Sequence, residues 1–205
     1  MTQSNTDYFE NEFVLTRYIK SFRKDYISPE SCVLLLSNVN DNLDNLIIRL
    51  SLFNGLTPTE IQHFNSSWFD LTSKSIRIPD SQDCDCYECK KWRNSIWRPE
   101  DTAKKRILPI SKNVINVLSK TRTFRKRSRQ SLSIRLKNIS VKSNVKVYPS
   151  SLRATFAINL LRSGMSVQSI AYLMGWKFNM PTNTKKIERK AISDFLETDN
   201  LCILY

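Results

Sequence analysis

Apolar residues recur at helical spacing along most of this chain and alternate in only two short places. From Asn11 to Tyr26, Phe13, Val14, Tyr18, Ile19, Phe22 and Tyr26 predict a short helix, either lying on the domain or forming an arm. Ser28-Pro29-Glu30 is a helix start: a capping hydroxyl, a proline in the first turn, an acid near the positive end of the dipole. Val33, Leu34 and Leu36 give that helix its apolar face, and the Asn/Asp-rich run SNVNDN breaks it. Leu43, Leu46, Ile47, Leu50 and Phe53 mark a strongly apolar helix that stops at Gly55. Thr57-Pro58-Thr59-Glu60 then has the capping-box spacing, with Ile61 and Phe64 facing inward. His63, the only histidine, reads as a surface residue.

The period then changes. Ile76 and Ile78 alternate with Ser75 and Arg77, which predicts a strand, and Arg106 to Ile110 predicts a second. The two can pair as a hairpin whose tip is an irregular insertion from Asp80 to about Thr102. Helical spacing returns in Lys112–Lys120 through Val114, Ile115, Val117 and Leu118, and again at Leu132, Leu136 and Ile139. Val145 and Val147 lead into Tyr148–Trp176, which reads as two helices. Ser150 can cap the first, which buries Leu152, Phe156, Ala157, Leu160 and Leu161 and ends at Gly164. Ser166 can cap the second, which buries Val167, Ile170, Ala171, Leu173 and Met174 and ends at Gly175. A last amphipathic helix runs from Thr182 to Leu196 through Ile187, Ala191, Ile192 and Phe195, before an apolar NLCILY terminus. The expected class is mainly α with a small β-hairpin or sheet. The expected organisation is an N-terminal arm over 1–27 and one domain over 28–205, with the insertion at about 80–102.

Charge narrows the partner. The chain has 205 residues, 40% hydrophobic, and a net charge of +13. Such an excess favours a polyanion, most commonly nucleic acid. A membrane surface is the alternative, but no apolar run is long enough to span a bilayer and no signal peptide is evident, so an intracellular, cytoplasmic protein is expected. The most basic tract, KTRTFRKRSR, carries Lys120, Arg122, Arg125, Lys126, Arg127 and Arg129. It is either a solvated loop or a set of phosphate contacts, and the net charge favours the second. Arg153 stands oddly in the first turn of its predicted helix, where the dipole disfavours a cation by about 0.3–1 kcal/mol. A helix start with an arginine suits a phosphate.

Cys84, Cys86 and Cys89 place three thiols within six residues, and the CxxC half can share a tetrahedral metal. A structural zinc is one expectation, with His63, Asp83, Asp85, Cys32 or Cys202 as fourth ligand. Reduced thiols on a loop are the other.

The order of these motifs resembles the tyrosine recombinase, or phage integrase, family over about residues 28–196. LIIRLSLFNGLTPTEIQHF is similar to the helix–GLR–helix stretch that carries the family's first catalytic Arg. The RIP strand and WRPEDTAKKRILPIS look like the hairpin that carries its Lys. The CxCxxC between them is similar to insertions in some archaeal and archaeal-virus members. YPSSLRATFAINLLRSGMSVQSIAYLMGW looks like the HxLRHTFA…LLGH box. The resemblance implies the family's catalytic-domain fold, double-stranded DNA as partner, no required cofactor, and an active recombinase or further copies of the chain on the same DNA. It also implies a chemistry: a Tyr hydroxyl attacks a phosphodiester, two Arg stabilise the developing charge, a Lys protonates the leaving oxygen, and His or Trp positions the phosphate.

Carried over position by position, much of that set is absent. Thr57 stands for the first Arg, Glu100 for the Lys with Lys104 and Lys105 nearby, Ser150 for the first His and Ala154 for the second. Arg153 keeps the second Arg, and Trp176 replaces the last His, as in some active members. Thr184 and Lys185 lie where the nucleophile belongs, and no Tyr occurs between Tyr172 and Tyr205. The leading expectation is a DNA-binding member with an impaired site, of which Arg153, Trp176, Lys104 and Lys105 are the remnant. The enzyme alternative is a recombinase with relocated residues, its nucleophile Tyr205 or a Tyr given in trans. A metal-stapled RNA-binding or interaction module is the third. Residues 1–27 are too few to form the second DNA-clamping domain that family members carry.

Overall fold

The structure is a computed structural model that describes residues 16–99, 105–118, 120–121, 128–176 and 184–200. Residues 16–21 are helical and run into a 3-10 turn, Phe22–Asp25. There follow α1 (Pro29–Ser37), α2 (Asn42–Asn54) and α3 (Pro58–His63), then β1 (Phe69–Asp70) and β2 (Ser75–Ile78). The insertion holds β3 (Gln82–Asp83), α4 (Tyr87–Trp92) and β4 (Ile96–Trp97). After it come β5 (Arg106–Pro109), α5 (Lys112–Leu118), α6 (Arg129–Ser143), α7 (Pro149–Arg162), α8 (Val167–Met174) and α9 (Thr184–Asn200). No helix among the described residues is long and apolar enough to cross a membrane.

The two alternating segments pair as expected. β2 and β5 are antiparallel, with Ser75 opposite Pro109 and Ile78 opposite Arg106, and β1 extends the sheet on the other side of β2. Ile76, Ile78 and Leu108 point into the core. The insertion is more ordered than its composition suggests: β3 and β4 form a second antiparallel ladder, pairing Gln82 with Trp97 and Asp83 with Ile96. The main core lies between α2 and α7, where Leu46, Leu50 and Phe53 meet Leu152, Phe156 and Leu160, all essentially inaccessible.

Caps fix most helix starts; α1 differs from expectation in its buried face and α7 in its cap. Ser28 caps α1 through Ser31 N, but the buried face is Cys32 and Leu35, while Val33 and Leu34 are more than half exposed. An unbroken apolar run covers every side of a helix, so periodicity cannot choose its inner face. α7 begins at Pro149 rather than after Ser150; Tyr148 is its cap, and Tyr148 N donates to Ser151 Oγ at 2.9 Å. That start places Arg153 in the second turn, beyond the free backbone N–H groups of the helix end. Ser166 caps α8, and Gly175 ends it with φ +68°. Ala191 and Phe195 anchor α9.

The N-terminal segment packs on α7. Ile19 is fully buried, Ile27 N donates to Thr155 Oγ1 at 2.9 Å, and the Arg162 guanidinium covers the Tyr26 ring at 4.2 Å.

One buried ion pair joins three elements. Arg106 Nη1 and Nη2 donate to Glu60 Oε1 and Oε2 at 2.6 and 3.0 Å, and Arg106 Nε donates to Leu173 O at 2.9 Å. Glu60 also accepts Thr57 N at 2.8 Å, closing the capping box of α3. Burial pushes the Glu60 carboxyl up, but the Arg106 guanidinium, the Thr57 N–H and the Arg153 charge together outweigh it and the net shift is downward. Removing one partner of a buried pair costs about 3–5 kcal/mol, because the other charge is left uncompensated. Arg106→Met is therefore expected to lower the urea midpoint by that equivalent. A depressed folded pKa adds stability that is present above the unfolded value, about 4.3, and lost as pH falls through the folded one. Acid titration of the urea midpoint should show that loss in the natural chain and a shallower acid limb in the Glu60→Gln/Arg106→Met pair.

Candidate functional site

Two clusters of chemistry-bearing residues lie at opposite ends of the six-residue helix α3. At its C-terminal end stands His63, only 4% exposed, so the expectation of a surface residue is corrected. Its Nδ1 lies 2.7 Å from Thr59 O. A carbonyl can only accept, so Nδ1 carries the proton and the Nε2 lone pair is left for a ligand. Nε2 lies 3.5 Å from Cys86 Sγ and 3.4 Å from Cys89 Sγ. Trp97 stacks on the imidazole with centroids 5.2 Å apart. Gln82 Nε2 donates to His63 O at 2.6 Å, and Trp68 Nε1 donates to Gln82 Oε1 at 2.8 Å.

The insertion delivers the thiols. Cys86 is the N-cap of α4 and accepts Cys89 N at 3.4 Å; Cys84 accepts Cys86 N at 3.5 Å. Main-chain bonds from Cys84 N to Ser95 O and from Ser95 N to Cys89 O close the loop around them. The four donor atoms of His63, Cys84, Cys86 and Cys89 all lie within 4.8 Å of one another. Around one tetrahedral metal, with metal–sulfur bonds of about 2.3 Å and metal–nitrogen of about 2.0–2.1 Å, nitrogen and sulfur sit about 3.5–3.6 Å apart. The two measured His–Cys separations fall close to that edge. The arrangement can hold a metal ion.

The acidities of the thiols fit the same reading. Burial pushes Cys84 and Cys89 up, Cys89 to about 12 with help from the thiols beside it. Cys86 lies below its ordinary value: burial raises it, but the N–H of Cys89 and the neighbouring thiols draw it down further. Three crowded thiols cannot all ionise without a cation among them.

The other described candidates are not part of this group. Cys32 sits in the main core near Ile27 O, Asp83 and Asp85 are exposed, and Cys202 falls outside the described residues. A signal for His63 did exist: it is the last residue of a helix whose start the capping box fixes.

At the other end of α3 is the Arg153 corner. Arg153 Nε donates to Gly55 O and Nη2 to Met174 O, both at 2.8 Å. These are the C-terminal carbonyls of α2 and α8, the negative ends of two helix dipoles, which welcome a cation. Gly55 has φ +65°, and a Cβ there would lie 2.7 Å from Phe156 Cδ1, so only glycine fits. Thr57 is buried, and its Oγ1 accepts Glu60 N at 3.1 Å. Trp176 follows directly on the α8 cap, half-buried, with the Tyr18 and Phe22 rings packed against it at 5.2 and 5.8 Å.

The remaining site candidates disperse. Lys105, just before β5, is exposed and pairs with Asp80 at 3.1 Å. Ser150 is exposed on α7, Ala154 is buried, and Lys185 is exposed on α9. Tyr172 accepts Ile107 N at its hydroxyl, and burial pushes its acidity weaker, the wrong direction for a nucleophile. Arg129 is exposed in the first turn of α6, behind the Ser128 cap. Arg122, Arg125, Lys126, Arg127, Glu100, Lys104 and Tyr205 lie outside the described residues.

Arg153→Lys keeps the charge but cannot span two carbonyls 119 positions apart in the chain (Gly55 to Met174). Equilibrium unfolding in urea should show it about 1–3 kcal/mol less stable, with an unchanged slope.

The sequence matches no family model and no curated protein. Its structure, however, is similar to solved ones. It superposes on an integrase from mycobacterium phage Brujita with a TM-score of 0.63 at 16% identity, covering 83% of this chain and 56% of that one. It superposes on XerA recombinase with a TM-score of 0.58 at 17% identity, covering 86% of this chain and 64% of that one. The chain thus spans less than two thirds of either neighbour's length. The helices around a small antiparallel sheet have the fold of the integrase and recombinase catalytic domains.

Proposed function

We propose that this chain is a DNA-binding protein of the tyrosine recombinase type, associated with site-specific recombination or with integration of a mobile element, and that its strand-cutting chemistry is impaired. The observation that carries the impairment is Thr57. Where the resemblance expects a phosphate-holding arginine, the chain has a buried hydroxyl committed to capping α3. Losing one such donor costs about 10²–10³ in rate by analogy with an oxyanion hole. Arg153 and Trp176 remain at the corner, and the +13 charge supplies attraction to duplex DNA. Phosphate contacts are assigned to Arg153 and to the basic tract Arg122, Arg125, Lys126, Arg127 and Arg129. The partners that suit this reading are double-stranded DNA and, on it, an active recombinase or a second copy of the chain.

The metal of the four-ligand cluster is assigned as zinc, since one imidazole and three thiolates in tetrahedral array are a closed structural set. Its role is to tie the insertion to the end of α3.

A gel shift with duplex DNA should show binding at low salt that weakens steeply as salt rises; no shift at low salt refutes the reading. On nicked suicide duplexes no covalent adduct is expected. An adduct abolished by Tyr205→Phe would establish the relocated recombinase instead.

For the metal, elemental analysis should find about one zinc per chain. Chelation or Cys89→Ser should remove it and lower the melting temperature, and cobalt(II) should give thiolate charge-transfer bands. A chain isolated without metal that takes up no cobalt would refute the assignment.

A further inference from the structure

The outer face of the insertion has no part in the chemistry described so far. α4 is fixed from within by Cys86 at its cap and by Cys89, which is 1% exposed. Its outer side carries Tyr87 and Trp92, each 72% exposed. Lys91 lies between the two rings, its Nζ 5.4 Å from the Tyr87 centroid and 4.8 Å from that of Trp92, and it donates to Tyr87 Oη at 3.1 Å. The three side chains therefore form one continuous Tyr–Lys–Trp ridge. Lys90, Arg93 and Arg98 are exposed around it, against Glu88, the one carboxylate of the helix. Arg93 is itself held by a bond from Nη1 to Arg98 O at 3.2 Å.

We propose that this ridge is a second nucleic-acid contact, one that takes unpaired bases on the Trp92 and Tyr87 rings and their phosphates on Lys90, Lys91, Arg93 and Arg98. Two large aromatics this exposed are unusual on a soluble surface unless something covers them. A protein partner would favour a broader apolar patch depleted in lysine. The alternation of flat rings with cations matches a strand of nucleotides, where each unit offers one π face and one negative charge. A duplex hides its base faces in the stack, so the complementary ligand is a single strand, a gap or a melted segment. The α4 cap and the carbonyl bonds that close the loop hold the backbone that carries the rings in place before binding, so little main-chain ordering entropy is lost when a base stacks. The inference rests on the DNA-binding reading above and adds to it a second surface and a different form of DNA.

The test uses the full chain and two fluorescein-labelled probes, a twelve-nucleotide oligothymidine and a blunt mixed-sequence duplex, followed by anisotropy. Tyr87→Ala/Trp92→Ala is expected to weaken oligothymidine binding about tenfold or more and to leave duplex binding within about twofold. Oligothymidine should also quench the tryptophan fluorescence of the natural chain, and Trp92→Leu alone should remove most of that quenching. Both rings are exposed, so the melting temperature should not move; Lys91→Gln, expected to weaken oligothymidine binding several-fold, gives a milder variant. Unchanged oligothymidine affinity in the double variant overturns the inference. So does a natural chain that binds the duplex but not oligothymidine, a result that leaves the DNA-binding reading standing. Failure to bind the duplex as well would overturn both.

Discussion

The Glu60–Arg106 pair is the constraint around which this domain is arranged. A carboxylate without solvent exposure is tolerable only with a guanidinium beside it, and Arg106 reaches it from β5 while also binding the last turn of α8. The pair therefore sets the position of α3 relative to the sheet and to α8. Once α3 is placed, its two ends are placed too: Thr57 comes to rest beside the Gly55–Arg153 corner, and His63 faces the insertion.

The insertion depends on that placement. A two-residue ladder with one short helix has too little apolar area to hold itself together. What it has instead is Trp97 stacked on His63 and tilted against Trp68, three thiols close to the imidazole, and Gln82 bonded to the His63 carbonyl. Most of these interactions converge on one residue, His63, through its ring and its main-chain carbonyl. The stability of the insertion is thus borrowed from α3, and through α3 from the buried ion pair.

Much of the fold was legible because its signals are local. Ser28, the Thr57–Glu60 box, Ser166, Gly55 and Gly175 act within one turn, and each ended or started a helix where the residues indicated. The two alternating segments were legible as a β2–β5 pair for the same reason. Long-range information was not. Val33 and Leu34 fit a helical face as well as Cys32 and Leu35 do, and only α6 packing on α1 decides between them. Glu60 was visible as a capping acid, but nothing near it in the chain names Arg106. Spacing alone cannot bring residue 63 to residues 84–89, so the sequence leaves His63 no better a fourth ligand than Cys32, Asp83, Asp85 or Cys202. Arg153 looks misplaced at its own helix end because the two carbonyls it answers belong to distant helices.

Thr57 limits what its position can become. A long cation at this position would lose the hydroxyl that receives Glu60 N and would leave a buried helix start uncapped, a loss of about 0.5–2 kcal/mol before any gain in phosphate affinity. Position 57 is therefore tied to folding before it is tied to any ligand: a side chain that takes the place of threonine must first replace the Oγ1 acceptor of the helix start.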